Sequence, residues 1–352
     1  MTRRYVIVGS SVAGVAAVEA IRQQDGDSEI ILLDEEPYPF YSRPGLAYLL
    51  TGEIPEEQLF PKTEAEFKRL KVHLGSARVK QVEPAAHQVV LADGRRVGYD
   101  RLLLATGSMA VRSDVPGSDL VGVVKLDNRD DVRGMLKLGK KARAVVVVGG
   151  GITALEIVEG MRARGLQVHY FLRGDRYWGN VLDETESQIV EHRLKEEGVH
   201  IHYHTELAEI LGHGGKVAGV LTKDGQTINC GMVAIAIGVK PRKELAATAG
   251  IQTDRGISVD PWMKTSVEDV YAAGDVAQVF DARTGVTVLD TLWWAARDQG
   301  QIAGLNMAGV ATPYQRRVPM NVTRLAGLTT TIIGAVGRGH DDDMVGIARG
   351  DS

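Results

Sequence analysis

Three observations predict an α/β fold with parallel sheets for this 352-residue chain. Within the first 36 residues, a β-branched run, a glycine-bearing turn, a helix-spaced apolar stretch and a second apolar run ending in acids follow one another. The same order of pieces returns about 140 residues later. After each copy come short alternating runs joined by Asp-Gly turns, the pattern of an antiparallel meander. Strand, turn, helix and strand in that order form a βαβ unit, because parallel strands need a crossover connection. Its recurrence is a duplication of architecture.

In the first copy, Tyr5-Val6-Ile7-Val8 is the strand and Gly9-Ser10-Ser11 the break. Val12 to Ile21 carries helical spacing up to Asp25-Gly26-Asp27, and Glu29 to Leu33 is the second strand, closed by Asp34-Glu35-Glu36-Pro37. The hexapeptide Gly9-Ser10-Ser11-Val12-Ala13-Gly14 matches a dinucleotide fingerprint. Gly9 permits a tight turn, and Gly14 lets helix and strand pack closely. Ser11 takes the place of the middle glycine that faces a pyrophosphate; with Ala13 it keeps that approach lined by small side chains. The helix start presents free N–H groups and the positive end of its dipole to phosphates. Glu35 and Glu36 follow the second strand, where a carboxylate accepts both ribose hydroxyls; a solvated loop is the competing reading of these acids.

The first meander runs through Ala77 to Val82, His87 to Leu91, the turn Ala92-Asp93-Gly94, and the apolar strand Arg101 to Ala105. The second copy opens with Ala144 to Val148, then Gly149-Gly150-Gly151, a helix from Ile152 to Arg164, Gly165, and a strand from Gln167 to Leu172. Its fingerprint residues are Gly149, Gly151, Ile152, Thr153 and Ala154, the last an accepted variant of the third glycine. Leu172 stands where a site preferring NADH places a carboxylate, and Arg173 and Arg176 stand where guanidinium groups meet a 2′-phosphate. This tilts the expectation from NADH toward NADPH, with a pairing of Asp175 to either arginine as the competing reading. The second meander comprises His200 to Tyr203, Val217 to Thr222, Lys223-Asp224-Gly225 and Met232 to Ile237. Leu292 to Ala308 reads as a helix, and Thr329 to Ile333 and Met344 to Ala348 as strands.

Composition narrows the function classes. With 44% hydrophobic residues the chain has ample material for two or three cores. The net charge is −4 with both signs interspersed, and the absence of a lysine-arginine block excludes a nucleic-acid stripe. A lone cysteine, Cys230, forms neither an intramolecular disulfide nor a metal cluster, and reads as a packing residue. No apolar run is long enough to cross a membrane, and the run after Met1-Thr2-Arg3-Arg4 is too short for a signal peptide, so a cytoplasmic protein is expected. His192, His200, His202 and His204 have no carboxylate arranged to complete a metal site; the last three alternate along one strand and read as a solvated or edge-strand face.

Three segments make the pattern specific: Leu104-Ala105-Thr106-Gly107-Ser108, Ala236-Ile237-Gly238-Val239-Lys240-Pro241-Arg242, and Tyr271-Ala272-Ala273-Gly274-Asp275. With the two glycine turns they resemble, in order over roughly residues 4 to 312, the FAD-dependent pyridine nucleotide-disulfide oxidoreductase superfamily. The resemblance implies two Rossmann-like, three-layer ββα dinucleotide-binding domains. An FAD domain would comprise residues 1–112 and 245–315, with an NAD(P) domain at 113–244 inserted between them. Residues 316–352 would begin a C-terminal interface domain, truncated here; a native end with a short capping hairpin is the alternative.

By the same resemblance, Ala105, Thr106 and Gly107 pass beside the flavin, and Gly274 and Asp275 meet its ribityl and pyrophosphate region. The Val79 backbone meets the adenine, Thr291 and Leu292 start the helix beneath the flavin ring, and Gly238 joins the NAD(P) set. Trp293-Trp294, next in sequence, has a core reading as its alternative. The segment Glu36 to Pro44 most resembles ferredoxin and rubredoxin reductases, the flavin portion of nitrite reductases and the apoptosis-inducing-factor type, and places Arg43 near the FAD pyrophosphate.

Two departures are informative. Disulfide-reducing branches carry cysteines near position 44, where this chain has Pro44 and none nearby, so disulfide chemistry is excluded. Where many relatives carry a lysine paired with a glutamate, the glutamate is Glu156 but the lysine position holds Tyr48. Glu156, the candidate catalytic residue, either orients the nicotinamide amide or is a polar helix residue. The implied function is a FAD-dependent NAD(P)H oxidoreductase that passes electrons to an external acceptor such as a ferredoxin, a rubredoxin or a partner reductase. An NAD(P)H oxidase and a flavin-bearing assembly protein of low turnover are the alternatives, and a homodimer is usual in the superfamily.

Overall fold

The structure, a computed structural model, describes residues 2–334; the expected strand at Met344 to Ala348 lies outside them. The chain packs as two compact units. The first comprises residues 2–42, 60–109 and 240–317, and the second residues 43–59, 110–239 and the described stretch from 318.

In the first unit, five parallel strands lie in the order Val270–Ala272, Arg101–Leu104, Arg4–Val8, Glu29–Asp34, Val72–Ser76. Covered on both faces, the central strand reads as an unbroken apolar run; Tyr5, Val6 and Ile7 have no exposed surface. Helix Val12–Gln24 packs on helix Trp293–Met307 through small residues, and a β-carbon on Gly300 would fall 2.1 Å from the Ala13 carbonyl oxygen. Two strands of the expected meander are present, Val79–Glu83 and Gln88–Leu91, but its third strand is Arg96–Gly98; Arg101–Leu104, expected there, pairs in the parallel sheet instead. The meander's first strand begins two residues later than the alternation predicts.

The second unit repeats the plan. Its parallel order is His200–His202, Gln167–Phe171, Ala144–Val148, Met232–Ile235, Val123–Val124. Its antiparallel meander is Leu207–His213, Lys216–Thr222 and Thr227–Asn229; His200–His202 and Met232–Ile235, expected in the meander, belong to the parallel sheet instead. Helix Ile152–Ala163 follows the second glycine turn.

Residues 43–59, expected in the first domain, pack in the second unit. Helix Gly45–Thr51 lays Leu50 where a side chain on Gly160 would be, and Arg164 donates to the Leu49 and Leu50 carbonyls at 3.0 and 2.9 Å. Glu56 then pairs with Arg129 and Arg133. The described part of the expected third domain is the hairpin Met320–Leu325 with Leu328–Ile333, and it too packs in the second unit. Its turn is held there: Arg193 donates to the Ala326 carbonyl, the Gly327 N–H donates to Glu159, and Arg324 pairs with Glu53. No helix among the described residues is long and apolar enough to cross a membrane.

Candidate functional site

The first glycine turn lies at the carboxyl end of the central strand, the edge at which open α/β sheets bind ligands. Gly9 has φ +110°, and a β-carbon there would fall 2.1 Å from the Ala105 carbonyl oxygen. The Gly9 N–H donates to Leu33 O at 2.8 Å, and the Ala105 N–H donates to Val8 O at 2.8 Å. The turn is therefore sewn to both neighbouring strands. Gly14 packs over it, with its β-carbon position 1.9 Å from the Gly9 carbonyl oxygen. Ser11 is the N-cap of the helix, but its side chain makes no capping bond.

Around that turn the structure assembles most of the predicted first-site residues. Thr106 Oγ1 donates to the Arg242 carbonyl at 2.8 Å, and the Arg242 N–H donates to Gly107 O at 2.9 Å. Ser108 Oγ donates to Asp275 Oδ2 at 2.7 Å, and the Gly274 N–H donates to Gln299 Oε1 at 2.9 Å. A β-carbon on Gly274 would lie 3.1 Å from that of Ala13, which brings the two motifs into contact. Val79 is buried and pairs with Leu91 beside a register shift. Leu292 is the N-cap of helix Trp293–Met307, preceded by the exposed Thr291. Trp293 and Trp294 meet edge to face at 4.9 Å, and Trp294 is 55% exposed, so the pair is not core.

The acids after the second strand divide three ways. Asp34 accepts the Ser10 and Glu36 N–H groups at 2.6 and 2.8 Å and so braces the glycine turn. Glu35 pairs with Arg242 at 2.5 Å and faces Arg78 at 3.7 Å. Glu36 accepts from the Tyr41 hydroxyl at 2.7 Å. Sequence reasoning assigned no role to Asp34, Ser108 or Arg242. Each stands inside a quoted motif, which was the available signal. Arg43 belongs to the second unit, where its guanidinium donates to the Asp127 carbonyl at 2.5 Å.

The second turn is built like the first. Gly149 has φ +144°, and its β-carbon position lies 2.1 Å from the Ala236 carbonyl oxygen. The Ala236 N–H donates to Val148 O at 2.8 Å, as Ala105 does to Val8. Gly151 is the helix N-cap, followed by Ile152, the exposed Thr153 and the fully buried Ala154. Gly238 O accepts from the Val111 N–H at 3.0 Å. Among the helices of ten or more described residues, those beginning at Arg129 and Glu184 carry capping boxes. Those beginning at Val12, Ile152 and Trp293 have no side-chain cap. The uncapped ends are the ones that the motifs were expected to set against cofactors, and a helix N-terminus without a side-chain cap can accept an anion.

One turn into the second helix, burial and the like charge of Glu159 push the Glu156 carboxyl up to about 7. Its surface is only half buried, but the protein around it is apolar enough to disfavour the charge. Burial likewise raises Glu159 to about 7, although the Gly327 N–H opposes this. At the end of the second strand Leu172 is buried, Arg173 is exposed, and Arg176 pairs with Asp175 at 3.5 Å while donating to Gly179 O at 3.2 Å. The pairing reading of Asp175 thus describes Arg176.

The histidines are arranged otherwise than by simple alternation. The strand ends at His202, and His204 lies beyond it with φ +50°. His169 of the neighbouring strand instead joins the group, with its Nδ1 3.0 Å from His202 Nε2. Among the described residues no group of three or more His, Cys, Asp or Glu is arranged to hold a metal. Cys230 is buried, as expected of a packing residue.

Residues 3–300 match the family model described as pyridine nucleotide-disulphide oxidoreductase. The chain is 32% identical over 335 residues to an NADH oxidase of Methanocaldococcus jannaschii, covering 92% of this chain and 74% of the relative. It is 30% identical over 345 residues to the rubredoxin-NAD(+) reductase of Pseudomonas putida, covering 97% of this chain and 89% of the relative. Among solved structures it is similar to the ferredoxin reductase for the CYP199A2 system of Rhodopseudomonas palustris. That match has a TM-score of 0.89 and 29% identity and covers 95% of this chain and 82% of the other.

Proposed function

The chain belongs to the pyridine nucleotide-disulphide oxidoreductase family and is an oxidoreductase of its flavin-dependent kind; from that premise we propose that it carries electrons from a nicotinamide dinucleotide to a small iron-sulfur or rubredoxin-type protein. The observation that carries the proposal is the paired glycine turn. Gly9 and Gly149 both lie against the carbonyl of an alanine that ends a parallel strand, and both open onto an uncapped helix. Two such cradles in one chain suit two dinucleotides.

The residues present fit FAD in the first unit. Gly9 and Gly14 draw the turn tightly onto strand and helix, the uncapped helix start after Ser11 would receive a pyrophosphate, Glu35 would supply a ribose acceptor, and Asp275 stands beside the Thr106–Ser108 turn. When bound, FAD supplies the redox chemistry, accepting two electrons and releasing them singly or together. The protein binds and orients. Gly149 and Gly151 would receive the second pyrophosphate with the buried Ala154 packed behind the turn, and Glu156 would position the nicotinamide amide while holding a proton near neutral pH. With no cysteine near either turn, no side chain acts as a redox group.

We infer NADH as the donor. Arg176 is committed to Asp175 and the Gly179 carbonyl, which leaves Arg173 as the guanidinium facing solvent there. Two of the relatives are named for NADH or NAD(+). A second reading, direct reduction of oxygen, is favoured by the NADH oxidase relative.

The test is anaerobic stopped-flow mixing of the FAD-loaded protein with NADH and with NADPH, followed at the oxidised-flavin band. Fast bleaching by NADH supports the proposal, and bleaching by neither overturns it. Oxygen uptake faster than reduction of a ferredoxin or rubredoxin would establish the oxidase reading instead.

A further inference from the structure

Arg242 closes the motif Ala236 to Arg242, and the proposed function gives it no work. Its backbone is bonded on both sides to the Thr106–Ser108 turn: the Arg242 carbonyl accepts from Thr106 Oγ1 at 2.8 Å, and its N–H donates to Gly107 O at 2.9 Å. From that anchored position Nε donates to Ser108 O at 3.1 Å, and Nη1 donates to Glu35 Oε1 at 2.5 Å. Ser108 in turn donates from Oγ to Asp275 Oδ2 at 2.7 Å. One guanidinium thus joins the acid at the end of the second strand to the turn that holds Asp275.

We propose that Arg242 is a positioning residue for FAD, bracketing Glu35 and the Thr106–Ser108 turn in one frame before the cofactor arrives. The proposal rests on the FAD reading of the first unit. Its physical basis is the planar fork of arginine, which directs Nε–H and Nη–H at two acceptors at once; a lysine ammonium is a single point charge on a flexible stem. Both partners are partly exposed, with 26% and 43% of their side-chain surface open, so the ion pair adds little to stability by itself. What it supplies is preorganisation. Groups already held in place bind a ligand without the cost of ordering them at that moment. Arg78 lies 3.7 Å from the other Glu35 oxygen but has no bond to the turn among those described.

The experiment compares apo-protein of wild type, Arg242→Gln and Arg242→Lys. FAD affinity is read by flavin fluorescence quenching, affinity for ADP (the adenosine half alone) by calorimetry, and the apo-protein Tm by scanning. Arg242→Gln is expected to weaken both FAD and ADP by about tenfold while leaving the apo Tm unchanged, with Arg242→Lys falling between. In a Glu35→Gln background the effect of Arg242→Gln should shrink, because the arginine then has no carboxylate to place. FAD binding as tight as wild type, or tighter, in Arg242→Gln would overturn the proposal, showing a bystander or a competitor for Glu35. A Tm that falls in step with affinity would overturn it in favour of a purely structural role. Wild-type protein that binds neither FAD nor ADP would instead sink the cofactor reading, a failure separate from that of the variants.

Discussion

A β-carbon on Gly9 would sit 2.1 Å from the carbonyl oxygen of Ala105, a distance no real side chain tolerates. The same relationship, at the same distance, holds between Gly149 and Ala236. Each glycine also has a positive φ, so steric overlap and backbone conformation both reject any other residue there.

The two positions separate the two cradles experimentally. Gly149→Ala is expected to purify yellow, because the first unit is untouched. Its flavin should be reduced by NADH about 100-fold more slowly than in wild type, since displacement of the turn misplaces the bound nucleotide. Gly9→Ala is expected to purify colourless. Flavin absorbance on purification and stopped-flow reduction check both, and a Gly149→Ala protein reduced at the wild-type rate would remove the second turn from the nicotinamide site.

The acids of the second helix set a pH dependence on the alkaline side. Burial raises Glu156 and Glu159 from an ordinary 4.5 to about 7, so the folded state favours their protonated forms. Their contribution to stability is complete below about 4.5 and is lost as pH rises through about 7. Glu159→Gln keeps an acceptor for the Gly327 N–H and removes one of these charges. Urea unfolding from about pH 5 to 8 should therefore show Glu159→Gln gaining on wild type as pH rises. A constant difference across that range would refute the assignment.

Asp281 acts at the opposite end of the scale. Although burial opposes the charge, hydrogen bonds from Arg283 and Arg316 bring its carboxyl from an ordinary 3.8 down to about 2. Arg316 also bonds Asp290, and both acids are almost fully enclosed. A depressed carboxyl contributes stability above its unfolded value and loses it as pH falls toward the folded one, here between about 4 and 2. Asp281→Asn removes one of the two carboxylates that pair with Arg316 and should destabilise the protein by about 2 kcal/mol at neutral pH, with less acid sensitivity below pH ~4. Paired denaturation curves at neutral and acid pH measure both effects.

Cys230 should be inert. It is 6% exposed, and burial pushes its thiol up to about 11, so little thiolate forms at neutral pH. Iodoacetamide is expected to label it only after unfolding, and full flavin reduction by NADH should survive Cys230→Ala. Rapid labelling of the native protein would contradict the packing role.

Several parts of the fold and site were legible before any coordinates, each by a local rule. Runs of β-branched residues marked Tyr5 to Val8 and Ala144 to Val148, glycine spacing marked both turns, and the matched motifs marked Thr106 and Asp275. Helices Arg129–Gly139 and Glu184–Glu196 were passed over although Asn128 with Asp131 and Asp183 with Glu186 form capping boxes. Both are rich in charge and low in apolar residues; the apolar period is weak in Glu184–Glu196, whereas Val132 and Met135 at i, i+3 in Arg129–Gly139 were an available signal.

By itself the sequence determined what neighbouring residues decide together: the duplicated βαβ plan and the two glycine turns. Only the tertiary structure decided which distant groups meet. Arg242 reaches Glu35 across 207 residues, Leu50 packs against Gly160, and Arg193 donates to the Ala326 carbonyl. Turn geometry and hydrophobic period are properties of a short stretch of backbone. The partner of a guanidinium or the unit that claims a helix depends on which surfaces the whole chain brings within bonding distance.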